Sequence, residues 1–394
     1  MSGSEHPTLE AGDVVAVTLP PGPQWLEIVR RTWEAGAAVL PIDHRLPTID
    51  TRALIGRSRP TVVISEGGAR RTHGVPADPG VALIVHTSGT RGVPKLVQFE
   101  RSAIDAAVAS SALALDATPQ ESWLCCLPLA HVGGLLVLLR GVLLGAPVAV
   151  HPIFDPVVVG GVRTAAFTSL VPTMLRRLLD AGVDLRSYRA ILVGGAHLSP
   201  ELRDRAELAG ARVIETYGLT ESCGGVIYDG RPLPGTQVRI DADGGIQLHG
   251  PTLMLGYRFD PASTTAAFTD DGWLRPGDAG EIDRAGLLHV VGRIDDLINS
   301  GGEKVWPVEV EAALRDHPSV LEVAVGGRLD PEWGQRVVAW VVPADPGHPP
   351  SLEELRGFAE RALPRHKAPR ELVIVQELPR TFSGKVRRAA LARE

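Results

Sequence analysis

The sequence is poor in cysteine, in net charge and in long apolar runs. Its three cysteines have no metal-ligand or disulfide spacing, which favours a reducing, cytoplasmic location. The net charge of −6 leaves no basic field that could hold a nucleic acid. No run of about 18 apolar residues is free of charge, so no membrane span is expected. The first residues have neither the basic nor the apolar region of a signal peptide, so none is expected.

Apolar residues are plentiful, at 44% of 394 residues, which is enough for a large core in two or three domains. Strand-like runs alternate with helical spacing over residues 14–215, which is typical of βαβ units and a largely parallel sheet. Short strands among Gly, Asp and Pro follow from Gly235. We therefore predict an α/β protein with a large N-terminal domain, residues 1–294, of mixed, largely parallel sheets with flanking helices and a small β-rich subdomain. Residues 295–394 are predicted to form a small α+β domain.

A polar, glycine-containing stretch comes directly after an apolar run. Residues 81–85 are typical of a buried strand, and residues 86–96 then read His-Thr-Ser-Gly-Thr-Arg-Gly-Val-Pro-Lys-Leu. Hydroxyls, backbone N–H groups and a lysine suit phosphate oxygens, and glycines let the backbone approach a ligand. The spacing of Gly89, Gly92 and Lys95 is not that of a Walker A loop. From this stretch alone, a polar hairpin or surface loop is the alternative interpretation.

Eight motifs, taken in order, resemble the adenylate-forming superfamily of acyl-CoA synthetases, adenylation domains and luciferases. The matching stretches are residues 36–43, 87–95, 127–134, 193–196, 216–221, 272–278, 292–298 and 379–385. The chain departs from the superfamily in being short between Asp43 and Thr87. A missing N-terminal layer would expose an apolar face, and this suggests self-association as a homodimer.

The resemblance implies ATP and Mg²⁺ as cofactors. Glu221 would be the Mg²⁺ ligand, because this ion prefers hard oxygen donors, and Thr220 would offer a hydroxyl to phosphate. Asp278 would accept the ribose hydroxyls, and Arg293 would contact ribose and phosphate. The other implied nucleotide-binding residues are Thr87, Ser88, Gly89, Thr90, Lys95, Gly195, Ala196, Thr216, Tyr217 and Gly218. The alternatives are a solvent-facing carboxylate at Glu221, core packing of Tyr217 and a turn aspartate at Asp278.

The resemblance also implies a catalytic lysine and a hinge. Lys385 would contact the substrate carboxylate and the α-phosphate, where a cation stabilises the meeting of two groups of like charge. Asp295 would be the hinge about which a mobile C-terminal domain turns. The alternatives are a solvated surface lysine and a helix-capping aspartate.

His131 matches a superfamily position that borders the acyl pocket, and a packed core histidine is the alternative of equal weight. The other residues expected in the acyl pocket are Ser169, Gly194, Ser222, Cys223, Gly224 and Gly225. No aspartate lies near residues 130–133, where amino-acid-activating relatives hold the α-ammonium group, so an amino acid substrate is disfavoured. Small residues leave space, and a buried second carboxylate would need the few available donors, so we expect an aryl acid that carries one.

The expected reaction joins a carboxylic acid to coenzyme A through an acyl-adenylate, with CoA as co-substrate and pyrophosphate and AMP as products. Two other interpretations are open. The chain could adenylate an acid and transfer it to a carrier protein or an amine. It could also be a non-catalytic protein that binds a nucleotide or an acyl group as a regulator. The presence of both Lys385 and Glu221 argues against the regulator, which has no physical need of either residue.

Overall fold

The computed structural model of the protein describes residues 7–87, 94–380 and 386–391. Contacts between Cα atoms divide these residues into two compact units. The first unit comprises residues 7–87, 94–238 and 248–276, and the second comprises residues 239–247, 277–380 and 386–391. The predicted boundary between residues 1–294 and 295–394 marks the expected hinge of a domain rotation, and it stays a prediction. Among the described residues, no helix has the length and apolar character needed to cross a membrane.

Helices and strands alternate along most of the first unit and continue through the second, and they are numbered in chain order across both units. The helices are α1 (Gln24–Glu34), α2 (Thr48–Ser58), α3 (Arg101–Leu115), α4 (Val132–Leu143), α5 (Pro156–Gly161), α6 (Pro172–Asp180), α7 (Pro200–Leu208), α8 (Pro261–Ala267), α9 (Pro307–Arg315), α10 (Leu352–Ala359) and α11 (Arg388–Leu391). The strands are β1 (Val14–Val17), β2 (Ala38–Pro41), β3 (Val62–Ser65), β4 (Gly68–Arg71), β5 (Val81–His86), β6 (Leu96–Glu100), β7 (Trp123–Cys125), β8 (Val148–Val150), β9 (Phe167–Leu170), β10 (Ala190–Gly194), β11 (Val213–Leu219), β12 (Gly224–Tyr228), β13 (Arg231–Pro232), β14 (Gln237–Ile240), β15 (Ile246–His249), β16 (Gly256–Tyr257), β17 (Asp278–Ile282), β18 (Leu288–Arg293), β19 (Ile298–Ser300), β20 (Glu303–Val305), β21 (Val320–Asp330), β22 (Gly334–Pro343) and β23 (Glu371–Ile374). Short 3₁₀ turns lie at Thr220–Ser222, Ile294–Asp296 and Arg365–Lys367.

The first seven-stranded sheet has the order β16-β6-β5-β2-β1-β3-β4. Strands β5, β2, β1 and β3 are parallel, and the outer strands are antiparallel. All four residues of β1 are buried, as expected for a parallel strand covered on both faces. β5 and β6 form an antiparallel pair, and the Thr87 N–H donates to the Lys95 carbonyl over 2.9 Å. The predicted strand before the polar stretch is therefore confirmed.

The second seven-stranded sheet has the order β13-β12-β11-β10-β9-β7-β8, and the five strands from β11 to β8 are parallel. Helix α4 is largely buried and contacts β7, β9 and α1. A Cβ atom on Gly134 would lie 2.5 Å from the carbonyl oxygens of Leu127 and Pro128, so glycine is required where the start of α4 meets the preceding loop. In the first sheet's half of the unit, the apolar spacing of Leu26, Val29 and Trp33 predicts a helix over residues 25–38. The observed α1 ends earlier, at Glu34, because the chain turns at Gly36 with φ +71°.

The second unit contains the β17–β18 pair and a sheet of order β20-β19-β22-β21, with β23 parallel to β22. Its main core consists of small and branched apolar side chains, among them Val310, Leu314 and Leu355, which come from α9 and α10. Trp340 on β22 is buried in a second cluster of the same unit. The predicted α/β class, with largely parallel sheets followed by a small α+β unit, is confirmed.

Candidate active site

Several predicted site residues lie where parallel strands of the second sheet end. Leu170 of β9 pairs with Val193 of β10, and Val193 pairs with Glu215 of β11. The loops after β9 and β10 therefore leave the sheet at the same edge, beside the last residues of β11. In open α/β sheets, ligands bind at this carboxyl edge. Ser169 is partly buried on β9, one residue before that strand ends.

The end of β10 lies very close to β11. Gly194 pairs with Thr216, and a Cβ atom on Gly194 would lie only 2.3 Å from the Thr216 Oγ1 atom. Gly195 follows with φ +79°, and both Gly195 and Ala196 are exposed. Tyr217, the next residue of β11, is partly buried. The backbone of residues 194–196 and Tyr217 thus lie at one edge of the sheet, and their roles at the two faces of adenine stay predictions.

The turn after β11 is held by its own buried hydroxyl. The Leu219 N–H donates to Ser222 Oγ over 3.0 Å, and that oxygen lies 2.8 Å from the Gly224 carbonyl oxygen. Ser222 is fully buried, so its hydroxyl is engaged within the turn. Cys223 adopts φ +55°, and burial raises the pKa of its thiol to about 12. The predicted pocket roles of Ser222 and Cys223 stay predictions. The structure assigns Ser222 the further task of shaping the turn that carries Glu221.

Gly218, Gly224 and Gly225 permit a close approach of strands around this turn. A Cβ atom on Gly218 would lie 1.9 Å from the Gly224 carbonyl oxygen. Gly224 has φ +93°, and a Cβ atom there would lie 2.6 Å from Leu136 Cδ1. The Cβ direction of Gly225 points to Thr216 Cβ at 3.1 Å. These glycines therefore serve the β11–β12 pairing, whatever space they also leave for a ligand.

Glu221 lies beside Tyr257, whose ring in turn lies beside Lys95. The Tyr257 hydroxyl donates to Glu221 Oε1 over 2.8 Å, and the Lys95 Nζ atom lies 4.2 Å from the centroid of the Tyr257 ring. The Met254 N–H donates to the Glu221 carbonyl oxygen over 2.8 Å. Thr220, the preceding residue, is partly buried in the same turn. A carboxylate, a hydroxyl and an ammonium group are thus brought together within the first unit.

This donor set fits Mg²⁺ that arrives bound to phosphates. Mg²⁺ keeps several waters and uses one or two protein carboxylates together with phosphate oxygens. Within the described ranges, no group of three or more His, Cys, Asp or Glu side chains could hold a metal ion. Glu221 offers the single hard oxygen ligand that such an ion requires, and Lys95 lies nearby as a point charge for phosphate.

His131 directly precedes α4, makes no side-chain capping hydrogen bond and lies near a second histidine. The ring centroids of His131 and His86 are 6.1 Å apart in an edge-to-face arrangement. Among the described residues, the buried Nε2 atom of His86 has no hydrogen-bond partner. Burial lowers the pKa of His86, so its ring is held neutral. Burial by itself would raise the pKa of nearby Asp43, but hydrogen bonds from Arg45 outweigh it and hold that pKa below its ordinary value.

In the second unit, the predicted ribose contacts are paired with each other. Asp278 and Arg293 are opposite residues of β17 and β18, and the Arg293 Nη1 group donates to Asp278 Oδ1 over 3.0 Å. Asp278 is largely buried, whereas Arg293 is exposed. Asp295 is exposed inside the Ile294–Asp296 turn, whose cap is Arg293, so the helix-cap interpretation of Asp295 does not apply.

Four predicted site residues, Ser88, Gly89, Thr90 and Lys385, lie outside the described residues. Two residues beside the site were missed from the sequence, His86 and Tyr257. His86 had a signal, since it is the polar last residue of an apolar strand. Tyr257 had only a weak one, a lone aromatic residue after Gly256 in a segment of turns.

Comparisons with known proteins identify the family of the chain. Residues 66–258 match the family described as AMP-binding enzyme, and residues 309–385 match the AMP-binding enzyme C-terminal domain. A probable 2-succinylbenzoate–CoA ligase of Mycobacterium tuberculosis is 40% identical over 372 residues, which cover 91% of this chain and 95% of that protein. A 2-succinylbenzoate–CoA ligase of Listeria monocytogenes is 35% identical over 331 residues, which cover 79% of this chain and 69% of that protein.

Solved structures show the same fold. The o-succinylbenzoate CoA synthetase of Bacillus subtilis, in complex with an acyl-adenylate intermediate, matches with a TM-score of 0.87 and 29% identity over 97% of this chain and 88% of that chain. The same synthetase in complex with ATP and magnesium ion matches with a TM-score of 0.86 and 28% identity over 98% of this chain and 90% of that chain. The chain therefore belongs to the family of AMP-binding enzymes.

Proposed function

We propose that the chain is an ATP-dependent acid–CoA ligase that acts through an acyl-adenylate, with o-succinylbenzoate as the acid, as in menaquinone biosynthesis. The observation that carries this proposal is the 40% identity to a probable 2-succinylbenzoate–CoA ligase over nearly the full length of both chains. The grouping of Glu221, Tyr257 and Lys95 supplies the chemistry at the strand edge. ATP and CoA are substrates, and Mg²⁺ is the metal ion.

The reaction has two steps. In the first, a carboxylate oxygen of the acid attacks the α-phosphorus of ATP, and pyrophosphate leaves with the bonding electrons. In the second, the CoA thiol loses its proton and attacks the acyl carbon, and AMP leaves. The first step brings anions together, so fixed cations aimed at the phosphates stabilise its transition state. Glu221 would hold Mg²⁺, which would neutralise phosphate charge, and Lys95 and Lys385 would supply further positive charge.

The proposed nucleotide contacts are those that the resemblance to the superfamily implies. Residues 194–196 and Tyr217 are proposed to bind the two faces of adenine, and Thr87 and Thr220 to offer hydroxyls to phosphate. The other proposed nucleotide-binding residues are Ser88, Gly89, Thr90, Thr216 and Gly218. Asp278 and Arg293 bind the ribose. Because these two side chains are already hydrogen-bonded to each other, the arginine holds the carboxylate in position to accept the ribose hydroxyls.

The acyl pocket is proposed to form around His131 and Ser169, at the ends of the strands that carry the nucleotide site. Ser169 is partly buried near the end of β9, and His131 is partly buried at the start of α4. Both offer polar atoms to the second carboxylate of the acid, whose burial without partners would be costly. Gly194, Gly224 and Gly225 are proposed to border the pocket through their backbone, because their Cβ directions point to Thr216 and Leu136.

Residues 295–394 are proposed to rotate about Asp295 between the two steps, so that Lys385 serves the first step only. The reducing cytoplasm is the proposed location, since all three cysteines are buried and free. We also propose a homodimer, because the segment between Asp43 and Thr87 is short for the family. Light scattering of the purified protein tests this, and a monomer at micromolar concentration would contradict it.

The test of the proposed function is pyrophosphate release across a panel of acids, with and without CoA. We expect o-succinylbenzoate to give the highest kcat/KM, and simple fatty and aryl acids to give much less. Turnover of a fatty acid with none of o-succinylbenzoate would refute the substrate. Pyrophosphate release with no consumption of CoA would favour the other adenylating function, transfer to a carrier protein or an amine.

A further inference from the structure

We propose that Tyr257 is a positioning residue, which holds the carboxylate of Glu221 and the ammonium group of Lys95 in one fixed arrangement. The inference rests on the proposed function, in which Glu221 binds Mg²⁺. Its basis is a pair of contacts on one side chain. The Tyr257 hydroxyl donates to Glu221 Oε1 over 2.8 Å, and the ring face lies 4.2 Å from Lys95 Nζ.

The backbone of Tyr257 is held from two sides. Tyr257 pairs with Val97 in the β16–β6 ladder, and its N–H donates to Thr264 Oγ1 over 2.8 Å. Gly256, just before it, has φ +157°, and a Cβ atom there would lie 2.7 Å from Thr264 Cγ2. A larger residue at position 256 would displace this support. The tyrosine therefore projects from a backbone that is fixed independently of any ligand.

The segment that precedes Tyr257 is hydrogen-bonded both to strand β6, which follows Lys95, and to the turn that contains Glu221. The Leu255 N–H donates to the Gln98 carbonyl over 2.9 Å, so the segment is bonded to the strand that begins directly after Lys95. The Met254 N–H donates to the Glu221 carbonyl over 2.8 Å, so the same segment is bonded to the Glu221 turn. The side chain of Tyr257 contacts the same two places, through Glu221 and Lys95.

This arrangement has a chemical consequence for metal binding. A hydrogen bond from the phenol fixes the rotation of the Glu221 carboxylate, so that its remaining lone pairs are aimed before the ion arrives. Outer partners of metal ligands act in this way, and their loss typically weakens metal affinity by about 10- to 100-fold. The ring face contributes separately, because a lysine ammonium group is attracted to it.

The two contributions can be separated by substitution. Tyr257→Phe keeps the ring beneath Lys95 and removes only the hydroxyl, so it should weaken the metal-dependent part of ATP binding. Tyr257→Leu removes both, so it should also weaken binding of ATP without metal. Tyr188→Phe is the matched control, because it removes a buried phenol whose hydrogen bond goes to the Val159 carbonyl over 3.3 Å and involves neither Glu221 nor Lys95.

The experiment is calorimetric titration of each folded variant with ATP, once in excess Mg²⁺ and once in EDTA. The readout is the ratio of the Kd in EDTA to the Kd in Mg²⁺, which measures how much the ion strengthens ATP binding. We expect Tyr257→Phe to reduce this ratio by about tenfold, with the Kd in EDTA within about twofold of wild type, and Tyr188→Phe to leave the ratio unchanged. An unchanged ratio in Tyr257→Phe would overturn the inference and leave the proposed function intact.

A double-substitution cycle tests whether Tyr257 acts through Glu221. If it does, adding Tyr257→Phe to Glu221→Gln should change the ratio no further, since the carboxylate to be positioned is already gone. Independent, multiplying effects of the two substitutions would overturn the positioning role. A wild-type protein that binds no ATP under either condition would overturn both the inference and the proposed function.

Discussion

Replacing His86 by glutamine should flatten the loss of stability that the protein shows on mild acidification. His86 ends strand β5, and its Nε2 atom is buried without a partner among the described residues. Burial lowers the pKa of the ring from its ordinary value of 6.5, although the nearby Asp43 carboxylate opposes that effect. The centroid of the His131 ring lies 6.1 Å from that of His86, so positive charges on both imidazoles would repel each other.

The direction of the change in the free energy of unfolding with pH is set by proton uptake in the unfolded state. Below pH 6.5 His86 is protonated in the unfolded chain but still neutral in the folded chain. The free energy of unfolding therefore falls as the pH falls. The loss continues until the pH passes below the lowered pKa of the folded state, and it is absent well above pH 6.5. One such group can cost at most about 1.4 kcal/mol per pH unit, which is about a tenfold change in the folded-to-unfolded ratio.

The assay is urea unfolding at about pH 7.5 and about pH 5.5, which bracket the ordinary histidine pKa. Wild type should lose up to about 1.4 kcal/mol more than His86→Gln between these pH values. Glutamine is neutral throughout, so the variant keeps only the contributions of other groups. His73→Gln replaces an exposed histidine and should behave as wild type. Equal losses in wild type and His86→Gln would refute the argument that burial holds this ring neutral.

Three further substitutions test the proposed roles. Lys385→Ala should slow adenylate formation by about 100-fold or more, as expected for one preorganised electrostatic contact, and spare thioester formation from pre-made acyl-adenylate; equal losses in both steps would make Lys385 structural. Asp295→Pro should retain adenylation and lose CoA transfer, because proline fixes φ near about −65°; unchanged turnover would place the hinge elsewhere. Gly225→Leu should raise KM for the acid more than KM for ATP. An equal rise in both would show that the new side chain acts by displacing Thr216, which lies 3.1 Å from the Cβ position.

Local patterns predicted the parts of the site that depend on one stretch of chain. The apolar run before Thr87 forms β5, and the glycines near residue 194 lie at a strand end, because strand periodicity and backbone freedom are properties of short segments. Asp278 and Arg293 are opposite residues of one antiparallel pair, and the sequence does not predict this pairing, because the resemblance assigns each residue its role separately.

Contacts between distant segments could not be predicted in this way. Strand β16 has two residues and no periodicity, yet it pairs with Val97 and Gln98 and thereby brings Tyr257 to Glu221. The hydrogen bond of the Ser222 hydroxyl within its own turn also could not be predicted, because a sequence does not distinguish a buried serine from a serine that lines a pocket. Both features arise from tertiary packing, and no spacing of residue types encodes them.

The most direct test of the central claim is a complete product analysis of one reaction. Purified protein is incubated with ATP, Mg²⁺, o-succinylbenzoate and CoA, and the products are quantified by mass spectrometry. The account predicts one equivalent each of AMP, pyrophosphate and the CoA thioester, with acyl-adenylate accumulating when CoA is left out. Formation of ADP and phosphate, or AMP without any thioester, would contradict it.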